Sequence, residues 1–213
     1  MPQPFTTASP VVASFDYSDI AEGTGTNDYY LFSTLDDTAI DYHISKDQTK
    51  RSSNIEYSQT VGSGGSNSAD YDLSIFNLPQ TIEGTAYISG SAGIEYVSGA
   101  TPNKTLVITC KIRKWDGTTE TEIASNSSTT FVGVANSNPV YFNYLFPITI
   151  PNTFFAKGET LRVSIDTLWT ADGGGAWTYH YGTDPTNRDG SFLTATADTT
   201  TITKVSIPFD LNL

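Results

Sequence analysis

Thr105-Leu-Val-Ile-Thr-Cys-Lys-Ile-Arg-Lys-Trp115, followed at once by Asp116-Gly117, is the stretch from which the fold is read. Leu106, Ile108, Cys110 and Ile112 fall on one face, while Thr105, Thr109, Lys111 and Arg113 fall on the other. A period of two belongs to a strand with one buried face. Asp-Gly supplies the positive φ angles of a tight hairpin turn, so Glu120–Ala124 is expected to return antiparallel. Cys110 then reads as a small core residue.

Working outward, the same alternation recurs. Val140, Phe142, Tyr144, Phe146, Ile148 and Ile150 share a face, with Pro147 confined to an edge or a position that needs no ladder bond. Lys157-Gly-Glu159 turns into Leu161, Val163, Ile165 and Trp169, opposite Arg162, Ser164 and Asp166. Val205, Ile207, Phe209 and Leu211 alternate near the C-terminus. With Ile82–Ile88, Ile94–Val97, Thr129–Val134 and Trp177–Tyr181, this makes about eight or nine short strands separated by turns. No segment shows a 3.6-residue period, and no repeat marks a propeller or solenoid. The expected fold is an all-β, antiparallel β-sandwich of jelly-roll type over residues 79–213, preceded by an irregular, acidic, loop-rich N-terminal arm over residues 1–78. The arm is inferred from the glycine-rich runs at 22–27 and 61–68 and the weak periodicity between them.

Composition agrees with strands. Of 213 residues, 38% are hydrophobic, 12% aromatic and only 16% charged, which is poor helix-building material. The net charge is -12, and residues 1–100 carry 3 basic against 13 acidic groups while residues 101–213 carry 8 against 10. Such a chain repels phosphate backbones and anionic headgroups, so neither nucleic acid nor membrane is an expected partner. Cys110 is the single cysteine and excludes an intrachain disulfide; His43 and His180 are too few for a histidine-rich metal site. No basic-then-apolar leader opens the sequence, so a product made in the cytoplasm is expected.

Two loops bracket the aromatic strand Trp177-Thr-Tyr-His-Tyr181. Asp172, Asp184 and Asp189, with Asn187, are candidate oxygen ligands for calcium, the one cofactor considered. The same residue types also build ordinary turns, and Arg188 is expected to pair with one of the acids. Trp177, Tyr179 and Tyr181 lie on one strand face with His180 on the other. That stripe is either core or, with Asn187, a stacking platform for a sugar. For catalysis, Glu83, Glu95, Glu120, Glu122 and Glu159 show no spacing that singles out a pair, and no Gly-x-Ser-x-Gly elbow marks a nucleophile. No enzyme is expected from these features.

The strings Lys157–Ile165, Tyr179–Gly190 and Val205–Leu211 together resemble small jelly-roll virion proteins of tailed bacterial or archaeal viruses, the group that includes capsid decoration proteins. The resemblance implies a non-enzymatic structural protein, made in the host cytoplasm, residing in the virion and acting by homo-oligomeric assembly with itself and other capsid proteins. Phe5, Phe15, Tyr29, Tyr30, Leu31 and Phe32 are then the apolar anchors of the arm. The alternative is a carbohydrate-binding or receptor-binding module that uses Trp177, Tyr179, Tyr181 and Asn187.

Overall fold

The structure, a computed structural model, describes residues 24–36, 39–61, 65–98, 104–133, 139–169, 175–193 and 199–210. Twelve strands are formed there: β1 Thr24–Asp36, β2 Ala39–Ser45, β3 Glu56–Val61, β4 Gly65–Asp72, β5 Gln80–Ser98, β6 Lys104–Trp115, β7 Glu120–Ser127, β8 Phe131–Gly133, β9 Val140–Phe155, β10 Thr160–Trp169, β11 Ala176–Gly182 and β12 Lys204–Asp210. Hydrogen-bonded neighbours run β3-β11-β5-β12-β1-β2-β4-β10-β6-β7, with β9 on the other edge of β5 and β8 on β6. Every pairing is antiparallel except the parallel bridge His43–Asp72 between β2 and β4. These neighbours are mostly non-consecutive, as in a sandwich with crossovers rather than a meander.

The Thr105–Trp115 reading holds in detail. Leu106, Ile108, Cys110 and Ile112 are buried, and Trp115 pairs with Glu120 across a turn in which Gly117 takes φ 92°. The Asp116 carboxylate accepts the backbone N–H groups of Thr118 and Thr119, which closes that turn. Pro147 lies on β9, whose one ladder partner among the described residues is β5. Its carbonyl accepts a hydrogen bond from Asn126 Nδ2 on β7, so the open edge is satisfied by a side chain.

Residues that are not ladder neighbours meet across the core, which makes this a sandwich. Tyr71 on β4 and Tyr181 on β11 share a hydrogen bond of 3.0 Å between their hydroxyls. Phe131 stacks on Phe142 at 4.4 Å, and Trp169 leans on Tyr179 at 5.3 Å. One continuous apolar cluster runs from Tyr29 to Phe209.

The arm is corrected. Residues 24–72 contain four strands of the same sheet, and β1 lies inside it, between β12 and β2. Tyr29, Leu31 and Phe32 are therefore buried in the core rather than presented as anchors, and Tyr30 is half-buried opposite Lys204 and Ser45. Phe5 and Phe15 lie outside the described residues. The strands escaped the period-two reading because polar residues occupy inward positions: Asn27 and Ser33 are buried in line with Tyr29 and Leu31. In β4 only Ala69 and Tyr71 carry the apolar signal.

Burial holds the phenols of Tyr71 and Tyr181 well above their ordinary pKa, so both stay neutral and share one hydrogen bond. Tyr71→Phe should cost about 1–3 kcal/mol in urea unfolding, because the Tyr181 hydroxyl is left buried without a partner. Removing both hydroxyls should cost clearly less than the sum of the two single changes. Additive losses would show that the two hydroxyls are not coupled.

Candidate functional site

The proposed platform residues sit in the core. Trp177, Tyr179 and Tyr181 are 2, 3 and 1% exposed, pointing inward from a strand held between β3 and β5. Tyr181 stacks on Tyr57 at 4.9 Å, and Tyr179 donates to Gln59 Oε1. Burial first, then its tyrosine neighbours, pushes the Tyr57 phenol up to about 12. Rings enclosed in this way cannot stack on a sugar, and the glycan-platform reading is withdrawn.

The loop after β11 explains its acidic residues locally. Asp184 is fully buried and accepts from Ser52 N, Arg188 N, Arg188 Nε and Nη2, and the Thr186 hydroxyl. Arg188 also donates to the Ser52 carbonyl. Burial works to raise the Asp184 carboxyl, but hydrogen bonds from Arg188, Ser52 and Thr186 outweigh it and hold its pKa below the usual value. Both carboxylate oxygens are thus committed to protein donors. Asn187 takes a left-handed φ of 53°, and its Oδ1 accepts from Thr200 Oγ1 and Thr201 N. Asp189 is exposed, and Asp172 lies outside the described residues. Among the described residues no group of three or more His, Cys, Asp or Glu side chains is placed to hold a metal ion.

A second cluster went unnoticed in the sequence. Glu56, at the start of β3, accepts from the backbone N–H of Phe192 at 3.0 Å and of Leu193 at 2.6 Å. His180 Nδ1 stands 3.3 Å from Glu56 Oε2, and its Nε2 is 3.9 Å from Glu95 Oε2. Phe192 lies flat on the imidazole at 4.0 Å and an interplanar angle of 4°. That seat exists because position 93 has no side chain: a Cβ there would come within 2.0 Å of the Phe192 ring. Burial opposes ionisation of Glu56, but His180 and the two N–H groups more than offset it and lower its pKa. Glu56 therefore staples the 184–193 loop to the outer surface of β11. Beside it opens a polar cleft of about 360 Å³ lined by Ser53, Asn54, Ser58 and Ser191.

The two outer faces of the sandwich differ in kind. Across β4, β10, β6 and β7 runs an ion-pair ladder. Arg162 grips Asp72 with two bonds of 2.6 and 2.8 Å, Arg113 meets Glu120 at 2.9 Å, and Lys111 meets Asp166 at 2.7 Å. The outer face of β5, β9 and β12 carries fewer charges, Glu83, Glu95 and Lys204, and is neutral around Leu145. There Leu145, Tyr87 and Tyr141 are 71, 48 and 46% exposed. Tyr87 lies opposite Pro147, and Leu145 opposite Ser89, so Tyr87 and Leu145 are diagonal neighbours. Tyr141 continues the surface and packs on Phe192 at 4.9 Å. The ion pair on the adjoining strands is Lys204 with Asp28 at 3.1 Å.

No protein-family model matches the chain, and no curated protein does. Among solved structures, the fold is similar to a CocE/NonD family hydrolase from Staphylococcus aureus, at 11% identity and a TM-score of 0.47 over 87% of this chain and 37% of that one. An α-amino acid ester hydrolase matches at 12% identity and a TM-score of 0.41, over 67% of this chain and 25% of that one. The VP2 subviral particle of infectious bursal disease virus matches at 14% identity and a TM-score of 0.28, over 84% of this chain and 45% of that one. The chain thus spans about a quarter to two fifths of the length of the two hydrolases. Hydrolases stand ahead of the capsid protein, which overturns the expectation of a non-enzymatic capsid-decoration protein. The capsid protein remains a weak likeness, and at these identities each likeness is one of fold.

Asp184→Asn should lower stability by about 2–3 kcal/mol near neutral pH, since it removes charge-assisted bonds to a buried group. Because the folded-state pKa values of Asp184 and Glu56 are depressed, their contribution is complete above about pH 4, the unfolded carboxylate value, and is lost as pH falls through the folded values. The substitution should therefore flatten the acid limb of a stability-against-pH curve measured by circular dichroism. An unchanged acid limb would remove Asp184 from the linkage.

Proposed function

We propose that the chain is a self-associating β-sandwich module, two copies of which dock through the outer faces of β5 and β9. The observation that carries this reading is the exposed apolar surface of Tyr87, Leu145 and Tyr141 on one side of a sandwich whose other outer face is an ion-pair ladder.

Charge restricts where a second copy can dock. Two chains of net charge -12 repel, and salt screens that repulsion only beyond about 8–10 Å. They can come into contact where each presents a surface without unpaired acids. On the β5–β9 face the outward positions around Leu145 are Thr85, Tyr87, Ser89 and Thr149, and the exposed acid of that row, Glu83, lies toward the start of β5, where Asn152 Nδ2 donates to it. A two-fold contact would set Leu145 of one copy against Tyr87 of the other, satisfying the same patch twice. Sheets pack face to face at about 10 Å, which flat outer residues of this size permit.

Sedimentation velocity of the full chain should show a species of twice 23.0 kDa at high micromolar concentration. Leu145→Asp combined with Tyr87→Ser should raise the dissociation constant by about tenfold to a hundredfold, the equivalent of losing one apolar anchor or two. Circular dichroism of the variant should be unchanged, since both side chains point away from the core. A wild-type chain that sediments as a monomer throughout, or a variant that dimerises equally well, would overturn the reading.

A further inference from the structure

Six of the eleven lysines and arginines are ion-paired within the chain: Lys111, Arg113, Lys114, Arg162, Arg188 and Lys204. Lys104 is buried, and Lys46 is half-buried over the rings of Tyr29 and Phe209. That leaves Lys50, Arg51 and Lys157 exposed, and among the described residues no carboxylate forms an ion pair with them. Most of the positive charge is thus engaged inside the molecule. What a neighbour meets at a distance is the excess of acid, a net charge of -12.

That excess bears on the two-fold docking of β5 and β9 proposed above, on which this inference rests. The contact around Leu145 is uncharged, and the charges at its margins have partners in their own chain. Lys204 meets Asp28 at 3.1 Å, Asn152 Nδ2 donates to Glu83 at 2.6 Å, and Glu95 lies 3.9 Å from His180 Nε2. Salt therefore finds no attraction between copies to screen at this face. It does screen the repulsion between two acidic bodies, which grows as the square of the net charge and shrinks with the Debye length, about 10 Å at 0.1 M and about 3 Å at 1 M. Apolar burial is not electrostatic and survives the same change. We infer that self-association is gated by ionic strength: the copies separate in dilute salt and dock as salt rises, the reverse of an interface held by ion pairs.

The test is sedimentation equilibrium of the full chain in sodium chloride from about 0.1 M to about 1 M, where the dimer dissociation constant should fall by about fivefold to tenfold. A second chain carries Lys50→Glu, Arg51→Glu and Lys157→Glu, all exposed and outside β5, β9 and β12. Each reversal changes the charge by two, so this variant carries -18 in place of -12, and its repulsion is about twice as strong. Its dissociation constant should fall by about a hundredfold over the same range and meet the wild-type value, within about twofold, in the highest salt. Circular dichroism of the two chains should coincide. A dimer that ignores salt or loosens as salt rises would overturn the gating and leave the docking face standing. Equal tightening in both chains would mean a general salting-out, and would overturn the gating too. A chain that stays monomeric at every salt concentration would overturn the docking itself.

Discussion

β5 bonds to β9 along one edge from Gln80 to Ile94, while its other edge serves two strands in succession, β12 at Tyr87–Ser89 and β11 at Ala92–Ser98. That handover is the constraint on which the rest of the sandwich depends, because it places β12 with β1 on one side and β11 with β3 on the other. It falls at Gly90-Ser91-Ala92-Gly93, and the small residues are required by what crosses there. A side chain at position 90 would meet the Tyr144 hydroxyl at 2.6 Å and Thr203 Oγ1 at 2.8 Å, two groups that bond to each other over this point. At position 93 it would displace Phe192, and with it the loop that Glu56 holds. The segment from Gly182 to Thr203 leaves the sheet as β11 and re-enters it as β12 along the same edge of β5. The networks of the buried Asp184 and the half-buried Asn187 stitch its described parts to the body of the sandwich.

How far this could be read from the sequence follows from where the apolar signal lies. β6, β9, β10 and β12 put aliphatic or aromatic residues at nearly every inward position, and period two identified them with their faces. β5 was read as two strands because its middle is Gly-Ser-Ala-Gly, which carries no periodic signal although it is buried. β1 and β4 escape the pattern because Asn27, Ser33 and Asn67 dilute it at inward positions. Trp177, Tyr179 and Tyr181 were correctly placed on one face, and a period of two cannot say whether that face looks at solvent or at another sheet. The Glu56 staple was out of reach altogether. It joins residues 136 and 137 positions apart, and a single glutamate before Tyr57 looks like any solvated strand end.

The loop acids show why residue type alone misleads about metal binding. Asp, Asn and Thr at close spacing provide many oxygens, as a hard cation requires. In this chain the counter-charge comes from within: Arg188, four residues after Asp184, returns to it with two donors, while Ser52 adds a backbone N–H from a distant segment. A carboxylate satisfied in this way serves the crossover as an internal staple. The sequence did contain a hint, since an arginine sits among the acids. Its weight became clear only once the burial of Asp184 was known, because an exposed pair of this kind adds little stability, while a buried one cannot lose a partner cheaply.

The acidity of the chain gives way to the same argument. A net charge of -12 describes the sequence, but the described surface is partitioned. On the β4–β10–β6–β7 face Lys111, Arg113 and Arg162 are shared among Asp70, Asp72, Glu120, Glu122 and Asp166, so each acid there lies beside a cation. On the β5–β9 face charge is sparse from the start. Inside, the sign is reversed: Lys104 is buried beside Leu106, and among the described residues no carboxylate pairs with it, in a molecule that carries about twice as many acids as bases. Long-range attraction from those acids is weakened by solvent and salt before it reaches Lys104. A buried cation responds to what lies within a few ångströms, so excess acid elsewhere cannot substitute for a local acceptor.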